Sequence, residues 1–405
     1  MKITVLSSKA IKPSYGGSGG APFAATDSIP LTVFDKLTAG LARALAEYRE
    51  WAGHLGFDAA GRRAILLTDA GARFVEATAD VSLDAVMPIE PTPAVLNLHP
   101  NAGGGADNEL LLVQVTQFAC GAIAVGQTMH HAVADGRRRT PSSPASHHLS
   151  RSSTAASFIK PPRGEKNNKP GRRRAAGEEI VVKRVRFSRE FVAELRSRAS
   201  SPPAAVARPY SAFQCVAAHL WRSVTKARRP DARAVTTLSV AVDGRVRMRR
   251  PSLPEGYTGN AVLWARPAAA AAGELVSRPL AFAVELVSRA AARVDEGYFR
   301  SFVDFASSGA VEEEGLVPAA DAAETVYCLD VEVDSLLHAP FYDMDFGGGP
   351  PFFFMPSYLP VEGSVFVVRS FAGDRSVDAY VPLFGRDVDA FHKCCYSLEM
   401  ADARL

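Results

Sequence analysis

The sequence predicts an α+β fold: two lobes built on mixed sheets. Three observations carry that prediction. Strand-like and helix-like segments are interspersed without the strict alternation of a βαβ series. At 405 residues the chain is long enough for two ordinary domains. A stretch with neither a period of 2 nor one of 3.6, rich in Ser, Pro, Gly, Arg and Lys, divides it. The lobes are then residues 1–136 and 180–405, and residues 137–179 are an irregular basic linker of disordered composition.

Taken in order, "MKITVLSSKA" reads as an opening strand. "LARALAEYREWAGHL" reads as an amphipathic helix, because Leu41, Ala44, Leu45, Tyr48, Ala52 and Leu55 recur at helical spacing. "RAILLTDAGARFVEATAD" reads as a hairpin turning at Asp69-Ala70-Gly71, and "ELLLVQVTQFACGAIAVGQTMHHAV" as two buried strands. Beyond the linker, "IVVKRVRF" alternates as a strand. Ser188 then caps a helix, with Phe187 and Val192 at the positions of a hydrophobic staple. Ser211 and Gln214 form a capping-box pattern at the head of "AFQCVAAHLWRSVTKAR". Strands fit "AVTTLSVAVDGR", "NAVLWARP", "TVYCLDVEVDSLL", "GSVFVVRSF" and "SVDAYVPLF". Helices fit "LAFAVELVSRAAARV" and residues 386–402.

With 47% hydrophobic and 22% charged residues the composition is globular. No basic segment followed by an apolar one opens the chain, and no apolar run reaches membrane length, so a cytoplasmic protein with no membrane partner is expected. The five cysteines are scattered, without a C-x-x-C pair, which argues against a disulfide framework or a metal site. Eleven Lys and Arg against the single acid Glu165 give residues 137–174 a charge of +10. The net charge of +3 therefore leaves −7 for the rest. That basic run holds one aromatic, Phe158, and no scaffold, so no nucleic-acid partner is expected.

Three segments carry candidate chemistry. In "TMHHAVADG", residues 128–136, a loop leaving a buried strand ends in Asp-Gly. Imidazole there suits a general base for an alcohol or amine, while a satisfied structural histidine is the plain alternative. In "DFGGGPP", residues 345–351, consecutive glycines allow a sharp bend. The partners of a kinase D-F-G and of a phosphate loop are missing, and a simple turn stays open. "VDGRVRMRRPSLPEGYTGN", residues 242–260, offers arginines to an aspartate or an anionic substrate.

In this order and spacing the three segments resemble the plant BAHD acyltransferases. The family signatures H-x-x-x-D-G and D-F-G-W-G are matched by His131 to Gly136 and by Asp345 to Gly349, and "QVTQFACG" is similar to the family's strand before the histidine. The likeness covers most of residues 1–136 and 180–405. The run "FYDMDFGGGPPFFFMPSYLPVEG" is most similar to the members that acylate agmatine. The resemblance implies a two-lobed chloramphenicol acetyltransferase-like fold with a channel between the lobes. It also implies transfer of a hydroxycinnamoyl group from its CoA thioester to a small amine. His131 is then the general base and His130 a packing neighbour. Asp135 and Gly136 support the loop, with Arg245 the first choice of partner for Asp135 and Arg247 the second. Asp345 and Gly347 shape the DFGGG turn. Asp330, Glu332 and Asp334 alternate along one strand, and Glu332 is expected to take the agmatine guanidinium. No metal and no resident cofactor are expected, acyl-CoA being a substrate, and the molecule is expected to be a monomer.

The chain departs from the family at four places. "LTVFDKLT" runs directly into "AGLARALAEY" where members place a strand and a loop, so a gap or an exposed edge is expected in the first sheet. The basic run from Arg137 replaces the amphipathic helix expected behind the catalytic loop. Gly348 and Leu336 stand where many members have Trp. The competing readings are an inactive remnant of the family, or an acyltransferase for tryptamine, tyramine or serotonin. A peptide-synthetase condensation domain shares H-H-x-x-x-D-G but lacks the DFGGG segment.

Overall fold

A computed structural model describes residues 1–15, 33–59, 61, 63–100, 109–133, 158–159, 178–200, 209–254, 257–318, 328–345 and 349–398. The chain divides into two compact units. One comprises Met1–Arg138, Thr258–Asn260 and Pro340–Tyr358, and the other the remainder. The linear division expected from sequence put residues 258–260 and 340–358 in the second lobe, whereas their contacts group them with the first.

The first unit holds β1 (Ile3–Ile11), α1 (Val33–Glu47), β2 (His54–Phe57), β3 (Arg63–Leu66), β4 (Ala72–Ala79), β5 (Leu111–Phe118) and β6 (Ile123–Met129). Its main sheet runs β1-β4-β5-β6, with β4 and β5 parallel and the other pairs antiparallel. Leu45, Trp51, Phe74, Leu110, Val115 and Val133 form its core. β1 is an edge of this sheet, and a register shift between Val5 and Ser7 leaves Val5 57% and Leu6 58% exposed.

Two expectations are corrected here. The helix read over residues 41–55 starts at Val33 and ends at Glu47. A 3-10 turn, Arg49–Ala52, and β2 follow it. Gly53 ends the turn, and a Cβ there would lie 2.4 Å from the Leu66 carbonyl oxygen. The close β2–β3 approach therefore takes Leu55 out of the helix. The hairpin read over residues 63–80 is two strands of different sheets: β3 pairs with β2, and β4 with β1 and β5. The turn itself is present, with Asp69 and Gly71 both at positive φ.

The second unit opens with β7 (Phe158–Ile159), β8 (Ile180–Phe187), α2 (Arg189–Ala199), α3 (Ala212–Arg228), β9 (Val235–Thr236), β10 (Leu238–Asp243) and β11 (Val262–Ala265). β12 (Ala270–Ala271), α4 (Ala272–Ser277), α5 (Leu280–Arg293), α6 (Glu296–Ser307), α7 (Ala310–Glu313) and β13 (Val317–Pro318) follow. The unit closes with β14 (Val331–Ser335), β15 (Ser364–Arg369), β16 (Val377–Phe384) and α8 (Gly385–Cys394). Its sheet runs β11-β10-β14-β15-β16-β8, with β14 parallel to both β10 and β15. Leu238, Val333, Val367 and Phe187 on one face share a core with Trp221 of α3, Val284 of α5 and Phe391 of α8. Each such side chain contributes about 1.5–3 kcal/mol by leaving water.

The caps form as expected. Ser188 Oγ accepts from Phe191 N, and the Ser211–Gln214 box closes in both directions. β7 pairs antiparallel with β13, so the segment expected to be irregular contributes one short strand, while its other residues up to 177 lie outside the described ones. The last helix ends at Cys394, short of the expected residue 402. α6 was not expected, although Asp295 caps it through Tyr298 N at 2.9 Å.

Candidate active site

The histidine loop is built from the end of β6. His130 N donates to the Leu110 carbonyl at 2.9 Å, which carries the ladder one residue past the strand. Val133 N then donates to the His130 carbonyl at 3.0 Å, closing a turn over His131 and Ala132. Val133 is only 2% exposed and sits in the first unit's core, so the loop is anchored at both ends. His130 Nδ1 accepts from Ala132 N at 3.1 Å. One nitrogen of that ring is therefore occupied by backbone, in keeping with a supporting role for His130. The His131 side chain is exposed, and its carbonyl accepts from Asn260 Nδ2 at 2.6 Å. Thr258 Oγ1 donates to Glu50 Oε1 at 2.6 Å and fastens the segment that delivers Asn260.

Asn260 is the last residue of the arginine-bearing segment 242–260. Its contact joins residues 129 positions apart, and no local pattern announces it. Asp135 and Gly136 lie outside the described residues.

The DFGGG segment also belongs to the first unit. Asp345 Oδ1 accepts from Gly349 N at 3.0 Å, so this carboxylate is engaged by backbone four residues on. Gly349 takes φ +93°, a conformation strained for a residue with a Cβ. Gly347 lies outside the described residues. The rings of Phe341 and Phe354 stack with centroids 3.6 Å apart and planes 9° from parallel, bracketing the turn.

Arg245 and Glu332 belong to the second unit. Arg245 N donates to Asp243 Oδ1 at 2.9 Å, its guanidinium lies 3.5 Å from the same oxygen, and it sits 5.9 Å from the Tyr257 ring centroid. Within its own unit the arginine is therefore held by the aspartate two residues back. The intervening Gly244 is required, because a Cβ there would come within 2.6 Å of the Phe299 ring. Arg247 closes the same short 3-10 turn.

Glu332 lies mid-strand in β14, opposite Ser239 of β10 and Ser364 of β15. Glu332 and Asp334 share the half-buried face, and Val331, Val333 and Ser335 the buried one. Asp330 precedes the strand, and its Oδ1 accepts from Thr237 N at 2.8 Å. Of the three alternating acids, then, Asp330 has a backbone role and Glu332 and Asp334 lie on the half-buried face. Among the described residues no cluster of three or more His, Cys, Asp or Glu could hold a metal ion. No helix of the described residues is long and apolar enough to cross a membrane.

The sequence matches the Transferase family over residues 23–140 and 147–398. It is 53% identical over 446 residues to agmatine coumaroyltransferase-1 of Hordeum vulgare, spanning 98% of this chain and 100% of that one. It is 51% identical over 450 residues to agmatine hydroxycinnamoyltransferase 1 of Oryza sativa subsp. japonica, spanning 98% and 99%. The barley alignment has 446 positions and this chain 405 residues, so at least 41 aligned positions have no residue here. Among solved structures vinorine synthase superposes with a TM-score of 0.65 at 19% identity, covering 96% of each chain, a likeness of fold.

Proposed function

The chain belongs to the BAHD acyltransferases of the transferase family, and we propose that it moves a hydroxycinnamoyl group from its CoA thioester to agmatine. The observation that carries the reading is the loop of His131. Its side chain is exposed while the backbone around it is held by Leu110, the core residue Val133 and Asn260. A base set on a fixed backbone and open to a substrate meets the geometric need of proton abstraction.

The agmatine amine is an ammonium at neutral pH and gives up one proton to solvent before it reacts. The neutral nitrogen attacks the thioester carbonyl carbon, and the His131 imidazole takes the second proton as the C–N bond forms. The tetrahedral oxyanion collapses, the C–S bond breaks, and the thiolate leaves with the proton that His131 returns. No acyl-enzyme forms and no resident cofactor takes part. The carboxylate of Glu332 takes the guanidinium, for which a planar pair of donors on two carboxylate oxygens is the strongest arrangement. Asp345 holds its turn and moves no proton, in keeping with its bond to Gly349 N.

Purified protein given p-coumaroyl-CoA and agmatine is expected to release free thiol. His131→Ala is expected to lower kcat by about 10²–10⁴-fold, the usual contribution of a positioned base. Turnover with tryptamine, tyramine or serotonin but not agmatine would reassign the acceptor. No turnover with any amine would favour the non-catalytic reading, which the 41 or more unfilled alignment positions support.

A further inference from the structure

The second unit contains an ion pair with no part in the chemistry above. Arg228, the last residue of α3, is 1% exposed, and Glu362, just ahead of β15, is 0% exposed. Burying two charges costs solvation that their attraction does not reliably repay, so such a pair is weak evidence for stability. Its bonds show what else it does. Arg228 Nε and Nη2 both donate to Glu362 Oε1, at 2.8 and 2.6 Å. Nη1 donates to the Leu329 and Asp330 carbonyls, at 2.8 and 3.0 Å. One guanidinium thus grips the chain just before β14 and just before β15.

Between these two grips lies Glu332. Its own N donates to the carbonyl of Gly363, the neighbour of Glu362, at 2.9 Å. On the other side Val331 N donates to the Thr237 carbonyl at 3.0 Å, while Thr237 N donates to Asp330 Oδ1 at 2.8 Å. Thr236 Oγ1 donates to the Leu329 carbonyl at 2.8 Å and accepts from Trp221 Nε1 at 3.0 Å. The entry to β14 is therefore tied within four residues to α3, to Thr236 and Thr237 at the passage from β9 to β10, and to Gly363 just before β15. Register is the quantity at stake. A slip of one residue in a strand exchanges its two faces, which would turn Glu332 into the core now filled by Val331 and Val333.

We propose that Arg228 and Glu362 are positioning residues that fix the register of β14 and so aim the Glu332 carboxylate, making them determinants of selectivity for a guanidinium-bearing amine. The proposal rests on the reading of Glu332 as the guanidinium partner. A lysine cannot replace Arg228, because a single ammonium lacks the planar fork that serves a carboxylate and two carbonyls together.

The test compares agmatine with pentylamine, an amine that matches agmatine's chain only as far as the position of the first guanidinium nitrogen and carries no guanidinium, using p-coumaroyl-CoA as donor. Four full-length proteins are used: wild type, Glu332→Gln, Arg228→Lys, and the double variant Arg228→Met/Glu362→Leu. The double variant removes both charges of the pair while Asp387, also buried, keeps its contact with Arg386 at 3.7 Å, and a cooperative thermal melt checks that the fold is kept. For both Arg228 variants the ratio of kcat/KM for agmatine over pentylamine is expected to fall about tenfold or more, a change worth about 1.4 kcal/mol. The fall should come through KM for agmatine, with kcat and both pentylamine constants within about twofold of wild type. An unchanged ratio in either folded Arg228 variant, beside a lowered ratio in Glu332→Gln, overturns the positioning role. Equal losses for both acceptors overturn it too, since they would mark a merely structural pair. An unchanged ratio in Glu332→Gln instead overturns the guanidinium reading on which the proposal stands.

Discussion

His130 and His131 are adjacent and chemically identical, and their surroundings differ. His130 spends its Nδ1 on Ala132 N and its backbone on Leu110 and Val133, while His131 has an exposed ring and its carbonyl accepts from Asn260. The motif and its spacing single out this loop in the sequence. The division between the two rings follows only from the resemblance, and Asn260 does not follow at all, because its partner is 129 residues away. Asn260 can be tested by itself. A hydrogen bond of this kind contributes about 0.5–1.5 kcal/mol. Asn260→Ala should therefore lower kcat by up to about tenfold through misplacement of the base, with the melting temperature nearly unchanged because the residue is exposed. A kcat equal to wild type in initial-rate measurements would show that Val133 and Leu110 hold the loop unaided.

Several elements were readable where a local rule decides them. The alternation of β8, the serine cap of α2 and the capping box of α3 each depend on a few neighbouring residues, and each forms as read. Two of the misreadings share one physical cause, a tertiary contact that overrides a local period, whereas α6 goes unread although a local cap at Asp295 marks it. Ala52 and Leu55 continue the helical spacing of α1, yet the tight approach of Gly53 to Leu66 commits Leu55 to β2. The β3–β4 hairpin fails in the same way, since β4 finds better partners in β1 and β5. Gly126, in the strand that leads to the histidines, shows how close such approaches become. A Cβ on it would lie 1.9 Å from the Leu98 carbonyl oxygen, and that oxygen is backbone that cannot swing aside. Gly126→Ala should destabilise the protein by roughly 1–3 kcal/mol, the usual cost of overpacking. It should lower activity as well, because β6 sets the position of His130 and His131. A thermal melt superimposable on wild type would refute this.

At the scale of the whole molecule the α+β class and the mixed sheets follow from the order of segments. The composition of the two units does not, because Thr258–Asn260 and Pro340–Tyr358 join the first unit from distant stretches of the chain. Nor does composition reveal which ionisable groups are buried, and burial governs how stability responds to pH. His219 of α3 is 1% exposed, and its Nε2 donates to the Cys395 carbonyl at 2.6 Å. The Phe187 and Phe191 rings meet it edge-on at 5.7 and 5.4 Å. Burial, against the raising effect of the Cys395 carbonyl and with help from the positive Arg222, pushes its pKa down to about 4 from the ordinary 6.5. Above pH 6.5 the imidazole is neutral in both folded and unfolded chains, and the full stability is present. As pH falls from 6.5 to about 4 the unfolded chain takes up a proton that the folded one refuses, and stability on the order of 3 kcal/mol is lost. Below that window the folded form is protonated too, and the loss from this group levels off. Asp374 unloads lower still. Its bonds from Ser376 hold its pKa down to about 2, so its contribution is present above the ordinary carboxylate range and disappears as pH falls through about 2. His219→Gln keeps a donor for the Cys395 carbonyl and cannot titrate. Chemical denaturation of both proteins at intervals from pH 7.5 to 3.5 should show the wild type falling relative to the variant between pH 6.5 and 4, with the two running parallel outside that window. Parallel curves throughout would mean that His219 is protonated in the folded protein as readily as in water.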